Sequence, residues 1–226
     1  MIKHYKTLEQ NTPEWLQARC GVLTASVVKD LLTKTFAISK GKMVDTLACN
    51  LASQRITKRV EENFQTYDMK RGHIEEELAL EAYGPVDRCG FITNDYLGFT
   101  LGFSPDGLLG DNGMVEVKSR KQKFQVETFC AGEVPSEYMI QCQTGMLVAE
   151  LDFCDFIQFS NGMPLFVKRV EPIAKIRAVI IEAAKAFEVK VQGLVDDFSS
   201  RTKDSILTEW VDHDCDVPEF TVEGEF

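Results

Sequence analysis

Apolar and polar positions alternate along the chain with two periods, one near 3.6 residues and one of 2. Residues 13–32 follow the helical period, with Trp15, Leu16 and Val22 as early anchors. The basic, Thr/Ser-rich stretch 33–42 reads as a loop exposing Lys34, Lys40 and Lys42. A helix is expected over 43–59, where Val44, Leu47, Ala48, Leu51 and Ala52 share a stripe. The run GHIEEELALEAYG (72–84) is bounded by glycines and rich in helix formers, so it predicts another. Strand-like segments 89–93 and 97–103 lead to a turn at Ser104-Pro105-Asp106-Gly107. A second turn at 110–113 opens the short strand 114–118. A helix over 136–149, strands over 155–160 and 165–170, and a long amphipathic helix over 173–195 complete the pattern. This order predicts an α/β fold with a central mixed β-sheet flanked by helices. Residues 1–200 are expected to form the domain and 201–226 an acidic peripheral tail.

The length of 226 residues suits one sizeable core. No stretch approaches the roughly 20 apolar residues of a membrane span, and MIKHYKTLEQ lacks a signal peptide's apolar run. A soluble, cytoplasmic protein is the expectation. The seven cysteines (20, 49, 89, 130, 142, 154 and 215) form no CxxC pair, which argues for reduced thiols over a disulfide framework, a zinc knuckle or an iron–sulfur cluster. A net charge of −10 argues, on its face, against binding phosphates. Binding follows local potential, however, and a carboxylate cluster that holds metal ions makes a protein acidic at its centre. The charge therefore leaves nucleic-acid binding open.

Hydrolysis of a phosphodiester needs an activated water and neutralisation of the transition-state charge, which carboxylate-held divalent ions supply. In Met114-Val115-Glu116-Val117-Lys118, strand alternation puts Glu116 and Lys118 on one face and the valines on the other. Asp106, ten residues before Glu116, lies in a turn from which a hairpin-like return would bring it level. The result, P-D-x(9)-E-x-K, has the form of the PD-(D/E)xK nuclease site, although short acid-x-lysine strings are often solvated surface pairs. Glu76 shares its helical stripe with Ala79, Leu80 and Tyr83, where a carboxylate is costly without a cation. Its neighbours Glu75, Glu77 and Glu81 are expected to turn toward solvent. A calcium-loop reading of SPDGLLGDNG fails, because its ligand positions would include Leu108 and Gly110.

Four blocks in order then carry a resemblance: W15-LQA-R19-C-G21-VLT-A25-S26, G72-HIE-E76-EL-A79-LEA-Y83, S104-P105-D106-G107 with E116-V-K118, and Y138-MI-Q141-CQ. The chain resembles the lambda exonuclease and YqaJ-type viral recombinase nucleases over most of its length. The resemblance implies a restriction-endonuclease-like core and Mg²⁺-dependent (or Mn²⁺-dependent) 5′-to-3′ digestion of double-stranded DNA ends. Mononucleotides would be released and a 3′-ended strand left for recombination. Asp106, Glu116, the carbonyl of Val117 and Glu76 would hold the metal. Lys118 would orient or deprotonate the attacking water, with Gln141 positioning it or the scissile phosphate. Arg19, Ser26 and Ser104 would receive the terminal 5′-phosphate, and Met69 would stand where the family parts the strands. The resemblance also implies a ring-shaped homotrimer, a single-strand-annealing recombinase partner and a phage or prophage origin in a host cytoplasm. The exposed lysine loop and the run KSRKQK (118–123) are candidate contacts to the phosphate backbone. Lys70, Arg71 and His73 depart from the lambda enzyme, as does most of the C-terminal third. An endonuclease on the same fold and a catalytically idle DNA-binding module are the rival readings.

Overall fold

The stretch MIQCQTGMLVA (139–149) carries no charge, and every residue from Ile140 to Ala149 is buried. A helix apolar on all sides needs partners on all sides, and this one finds a sheet on either flank. The computed structural model describes residues 1–61 and 67–209, without the side chains of 67–69. Its elements are β1 (Ile2–Tyr5), α1 (Pro13–Arg19), β2 (Leu23–Thr24), α2 (Ala25–Val28) with a 3₁₀ turn (Lys29–Leu31), α3 (Lys42–Thr57) and α4 (Tyr67–Tyr83). They continue with β3 (Phe91–Asn94), β4 (Leu101–Phe103), β5 (Gly107–Leu109), β6 (Gly113–Ser119), α5 (Gln122–Ala131), α6 (Ser136–Ala149), β7 (Phe153–Phe159), β8 (Phe166–Val170) and α7 (Ala174–Arg201).

The strands form two mixed four-stranded sheets, ordered β1-β3-β4-β2 and β5-β6-β7-β8. The α/β class with mixed sheets flanked by helices is as expected, although the sheet is divided in two. β6 and β7 are parallel, pairing Glu116 with Phe156 and Lys118 with Gln158. Parallel neighbours need a crossover, which α5 and α6 supply. Helix α6 packs on β3 and β4 from one side and on β6 and β7 from the other. Gly145 permits that approach, since a Cβ there would sit 2.8 Å from the Phe103 ring and 2.9 Å from Met114 Cε. Helix α4 covers the opposite face of the second sheet, burying Ala79 and Leu80 against Val115, Val117 and Ile157.

Polar residues inside the post formed by α6 are individually satisfied, as burial demands. Gln143 donates to the Glu171 carbonyl at 2.8 Å and accepts from Ile173 N–H at 2.8 Å, tying α6 to the start of α7. Thr144 bonds back to the Ile140 carbonyl at 2.8 Å. Gln141 has neither kind of partner and turns toward β6.

One local expectation is corrected, and two elements appear that the periodicity does not predict. The helical period over 13–32 breaks at Gly21, whose φ of +69° ends α1 in a turn open to glycine. Its N–H donates to Gln54 Oε1 and its carbonyl accepts from Arg55 Nε, both at 2.8 Å, so α3 clamps the turn. The basic run at 118–123 leads into helix α5. That helix is held by a buried exchange in which Gln125 Nε2 donates to the Gln158 carbonyl at 3.1 Å and Gln158 Nε2 to Gln125 Oε1 at 2.9 Å. The segment between the two turns is strand β5, paired with β6 through Gly107–Val115. The expected boundary at residue 200 falls in the last turn of α7, and the tail residues 210–226 lie outside the described residues. Among the described residues no helix is long and apolar enough to cross a membrane.

Candidate active site

Strand β6 turns Val115 and Val117 into the small core beneath α4. Glu116 therefore faces α6, where it is 0% exposed. Gln141 Nε2, from the first half of α6, donates to Glu116 Oε1 at 2.6 Å. Lys118, two positions on and a quarter exposed, bonds the same oxygen. Glu116 Oε2 is buried and has no hydrogen-bond partner among the described residues. A buried, unpaired carboxylate oxygen is costly, so this atom marks a place where a cation fits.

Asp106 stands abreast of Glu116, as the spacing predicts. Its Oδ2 accepts from the Val117 N–H at 2.6 Å, which pins the turn after β4 to the middle of β6. Glu76 completes the group from α4. Burial, then the nearby Asp106 carboxylate, pushes Glu76 up to about 8. Burial also raises Glu116 to about 7, with Lys118 opposing and Asp106 adding to the rise. Asp106 is raised by burial against the pull of Lys118 and the Val117 N–H. Burial alone would lower Lys118, but the Glu116 and Asp106 carboxylates outweigh it and hold the ammonium protonated. Three acids thus share one ammonium in a desolvated site.

Among the described residues, no three His, Cys, Asp or Glu side chains stand in ready-made metal-binding geometry. The donors are nevertheless hard oxygens of the kind Mg²⁺ and Mn²⁺ take. Lys118 and the Val117 N–H occupy Glu116 Oε1 and Asp106 Oδ2, while Glu116 Oε2 is unsatisfied. These residues fit a divalent cation.

A second pocket lies two residues back along the same segment. Arg19 ends α1, and the Gly21 turn folds Thr24 and Ser26 back beside it. Arg19 Nη1 donates to Ser104 Oγ at 2.8 Å and Nη2 to Thr24 Oγ1 at 3.3 Å. Thr24 Oγ1 in turn lies 3.2 Å from Ser26 Oγ. The Trp15 indole N–H is shared between Ser104 Oγ and the Gly90 carbonyl, each at 3.0 Å, and the Arg19 guanidinium lies 4.2 Å from that ring's centroid. Among the described residues no carboxylate pairs with Arg19. Burial lowers its pKa to about 10. A desolvated guanidinium surrounded by hydroxyls is equipped to take an anion through charge-assisted bonds.

The structure therefore brings Arg19, Ser26 and Ser104 into one group and Glu76, Asp106, Glu116, Val117, Lys118 and Gln141 into another. Sequence reasoning missed Thr24 and Trp15 as members of the first. Glu75, expected in solvent, is instead buried, held by the Ser119 hydroxyl with Arg71 Nε at 3.7 Å. Lys34, Lys40 and Lys42 are exposed. The Met69 side chain lies outside the described residues.

A model of the YqaJ-like viral recombinase domain matches residues 14–152, a span that includes both groups. An alkaline exonuclease from Laribacter hongkongensis matches at 29% identity and TM-score 0.75, over 85% of this chain and 98% of that one. The same exonuclease in complex with dAMP gives 0.76 at 29% identity, with equal coverage. A phage-related exonuclease from Haemophilus somnus, at 12% identity and TM-score 0.57 over 79% of this chain and 96% of that one, shares the fold. No curated protein matches the chain.

Proposed function

Because the chain belongs to the family of YqaJ-like viral recombinase domains, we propose that it is a DNA exonuclease that digests duplex ends 5′-to-3′. The observation that carries this reading is the segment Ser104-Pro105-Asp106. Ser104 is bonded to the Arg19 guanidinium at 2.8 Å, and Asp106, two residues on, is bonded to β6 at 2.6 Å beside Glu116. An anion pocket and a carboxylate cluster at the two ends of a tripeptide can hold a terminal phosphate and the next phosphodiester together. Hydrolysis of that linkage leaves a new 5′-phosphate, which the Arg19 pocket would accept in turn. The similarity to an alkaline exonuclease at 29% identity supports the same class of reaction.

The residues present divide the work. Asp106 and Glu116, with the Val117 carbonyl and Glu76, would hold Mg²⁺, or Mn²⁺ in its place. When bound, such an ion neutralises charge on the phosphodiester and activates the attacking water. Lys118, held as an ammonium beside Glu116, would orient the attacking water, and would take its proton only after giving up its own once a bound cation has replaced it at the carboxylates. Gln141 fixes the Glu116 carboxylate and presents its amide to the nucleophile or the scissile phosphate. A 3′-ended strand would remain, to be taken by a single-strand-annealing recombinase, and a homotrimeric ring belongs to the same reading.

The test compares a linear 5′-phosphorylated duplex with covalently closed circular DNA, with and without Mg²⁺, using Glu116→Ala as the inactive control. The expected result is consumption of the linear duplex alone, with release of 5′-mononucleotides. Cutting of the circle would make the chain an endonuclease. No turnover with any divalent metal would make it a binding module.

A further inference from the structure

A cleft of about 410 Å³ opens beyond Lys118, lined by eight residues that include Arg71, Glu75, Arg120, Lys121, Lys123 and Asn161. Four of the eight are cationic, in a chain whose net charge is −10. Its single carboxylate, Glu75, accepts from the Ser119 hydroxyl and has Arg71 Nε at 3.7 Å, so its charge is already offset. The cleft wall and the cluster meet at one shared ring. Lys118 Nζ and Arg120 Cζ lie 5.7 and 5.2 Å from the centroid of the same Tyr138 ring. Arg120 also stacks on Phe124 at 4.1 Å and stands 3.7 Å from Glu137, which holds it at the cleft wall. Lys123 is exposed at the rim, 4.6 Å from the Phe124 centroid.

We infer that this cleft receives the phosphate one step 3′ of the scissile linkage on the strand being digested. The inference rests on the exonuclease reading and adds the third member of a line. The Arg19 pocket holds the terminal phosphate, the Asp106–Glu116–Lys118 cluster holds the next, and the cationic cleft on the far side of Lys118 holds the one after. Contacts of this kind position a strand without reading its sequence. They set the register in which the scissile phosphate meets Lys118. The digested strand must therefore extend past the bond being cut, and the enzyme should stall when no further phosphate remains.

The experiment replaces single linkages in a 5′-phosphorylated duplex with uncharged methylphosphonates and measures release of the first nucleotide. One substrate carries the neutral linkage immediately 3′ of the first scissile linkage. A second carries it opposite, in the complementary strand. The first should be cut roughly ten- to hundredfold more slowly than the unmodified duplex, the scale of a lost charge-assisted contact. The second should be cut at the normal rate. Arg120→Gln and Lys123→Gln should each slow the unmodified duplex and shrink the penalty for the neutral linkage, which general weakening of the fold would not do. If Arg120→Gln fails to fold, the exposed Lys123→Gln carries the test.

Equal rates on the unmodified duplex and the first substrate would overturn the inference while leaving the exonuclease reading intact. So would a penalty confined to the complementary strand, or one undiminished in the variants. No digestion of the unmodified 5′ end would remove both.

Discussion

Two pockets of opposite charge share one short segment, and they differ in how their buried charge is compensated. Around Arg19 the guanidinium is surrounded by Ser104, Thr24 and the Trp15 ring, with the hydrogen-bond geometry already formed. Around Glu116 one carboxylate oxygen is bonded by both Gln141 and Lys118 and the other by nothing. The first site is preorganised by those bonds. The second is electrostatically strained, with three acids sharing one ammonium, and the proposed divalent cation would relieve it. Burial produces both conditions, lowering Arg19 to about 10 and raising Glu76 to about 8. On the proposed reading, a DNA end with its metal ion would bring the charge that each group calls for.

The largest expected effect breaks the acidic pocket. Lys118→Ala should reduce cleavage by about 10²–10⁴-fold, the range for loss of a positioned proton-transfer group, while DNA binding by gel shift stays near normal. Retained turnover would remove Lys118 from the mechanism. Next comes the basic pocket. Arg19→Ala should slow digestion of 5′-phosphorylated ends by roughly 10–100-fold, the scale of charged hydrogen bonds, and leave 5′-hydroxyl ends little changed.

A third prediction sharpens the comparison through pH. Glu116 titrates near 7 and Glu76 near 8 in the folded chain, both above the ordinary 4.5. For acids raised on folding, the stabilisation is fully present below the unfolded pKa and is lost as pH rises through the folded one. The metal-free protein should therefore lose thermal stability between about pH 5 and pH 8, and Glu116→Gln should flatten that slope. Mg²⁺ titrated in at pH 7 should release protons, measurable by calorimetry in buffers of different ionisation enthalpy. No proton release would contradict the raised acids. The smallest effect belongs to Trp15→Phe, which removes the indole donor from Ser104. A cost of about 0.5–1.5 kcal/mol in phosphate-end preference is expected, read as the ratio of rates on the two kinds of end.

The legible parts of the molecule were those with a strong period or a rigid spacing. Strand alternation around Glu116 and Lys118, the Glu76 stripe and the 136–149 helix all read directly from the sequence. The basic pocket was reached only through the family resemblance, because its members come from three separated segments joined by a turn. The helical period over 13–32 concealed that turn, since one glycine at φ +69° outweighs the propensity of its nineteen neighbours there. Thr24 and Trp15 carry no pattern that distinguishes a hydroxyl or indole in a pocket from one at the surface. Glu75 was misjudged because a helical stripe locates only one buried face, whereas this carboxylate is buried by Ser119 at the end of β6. Helix α5 was hidden by its basic, exposed entry, since its buried residues Gln125 and Thr128 are held by Gln158 from a distant strand.

The most direct test of the paired pockets is the first-nucleotide release rate on 5′-phosphate and 5′-hydroxyl duplexes, for the unaltered chain and for Arg19→Ala, in saturating Mg²⁺. A clear preference for the phosphorylated end that collapses toward unity in Arg19→Ala is the predicted result. An equal preference in both proteins would mean that the Arg19 pocket does not hold the terminal phosphate, and the account of two coupled sites would fail.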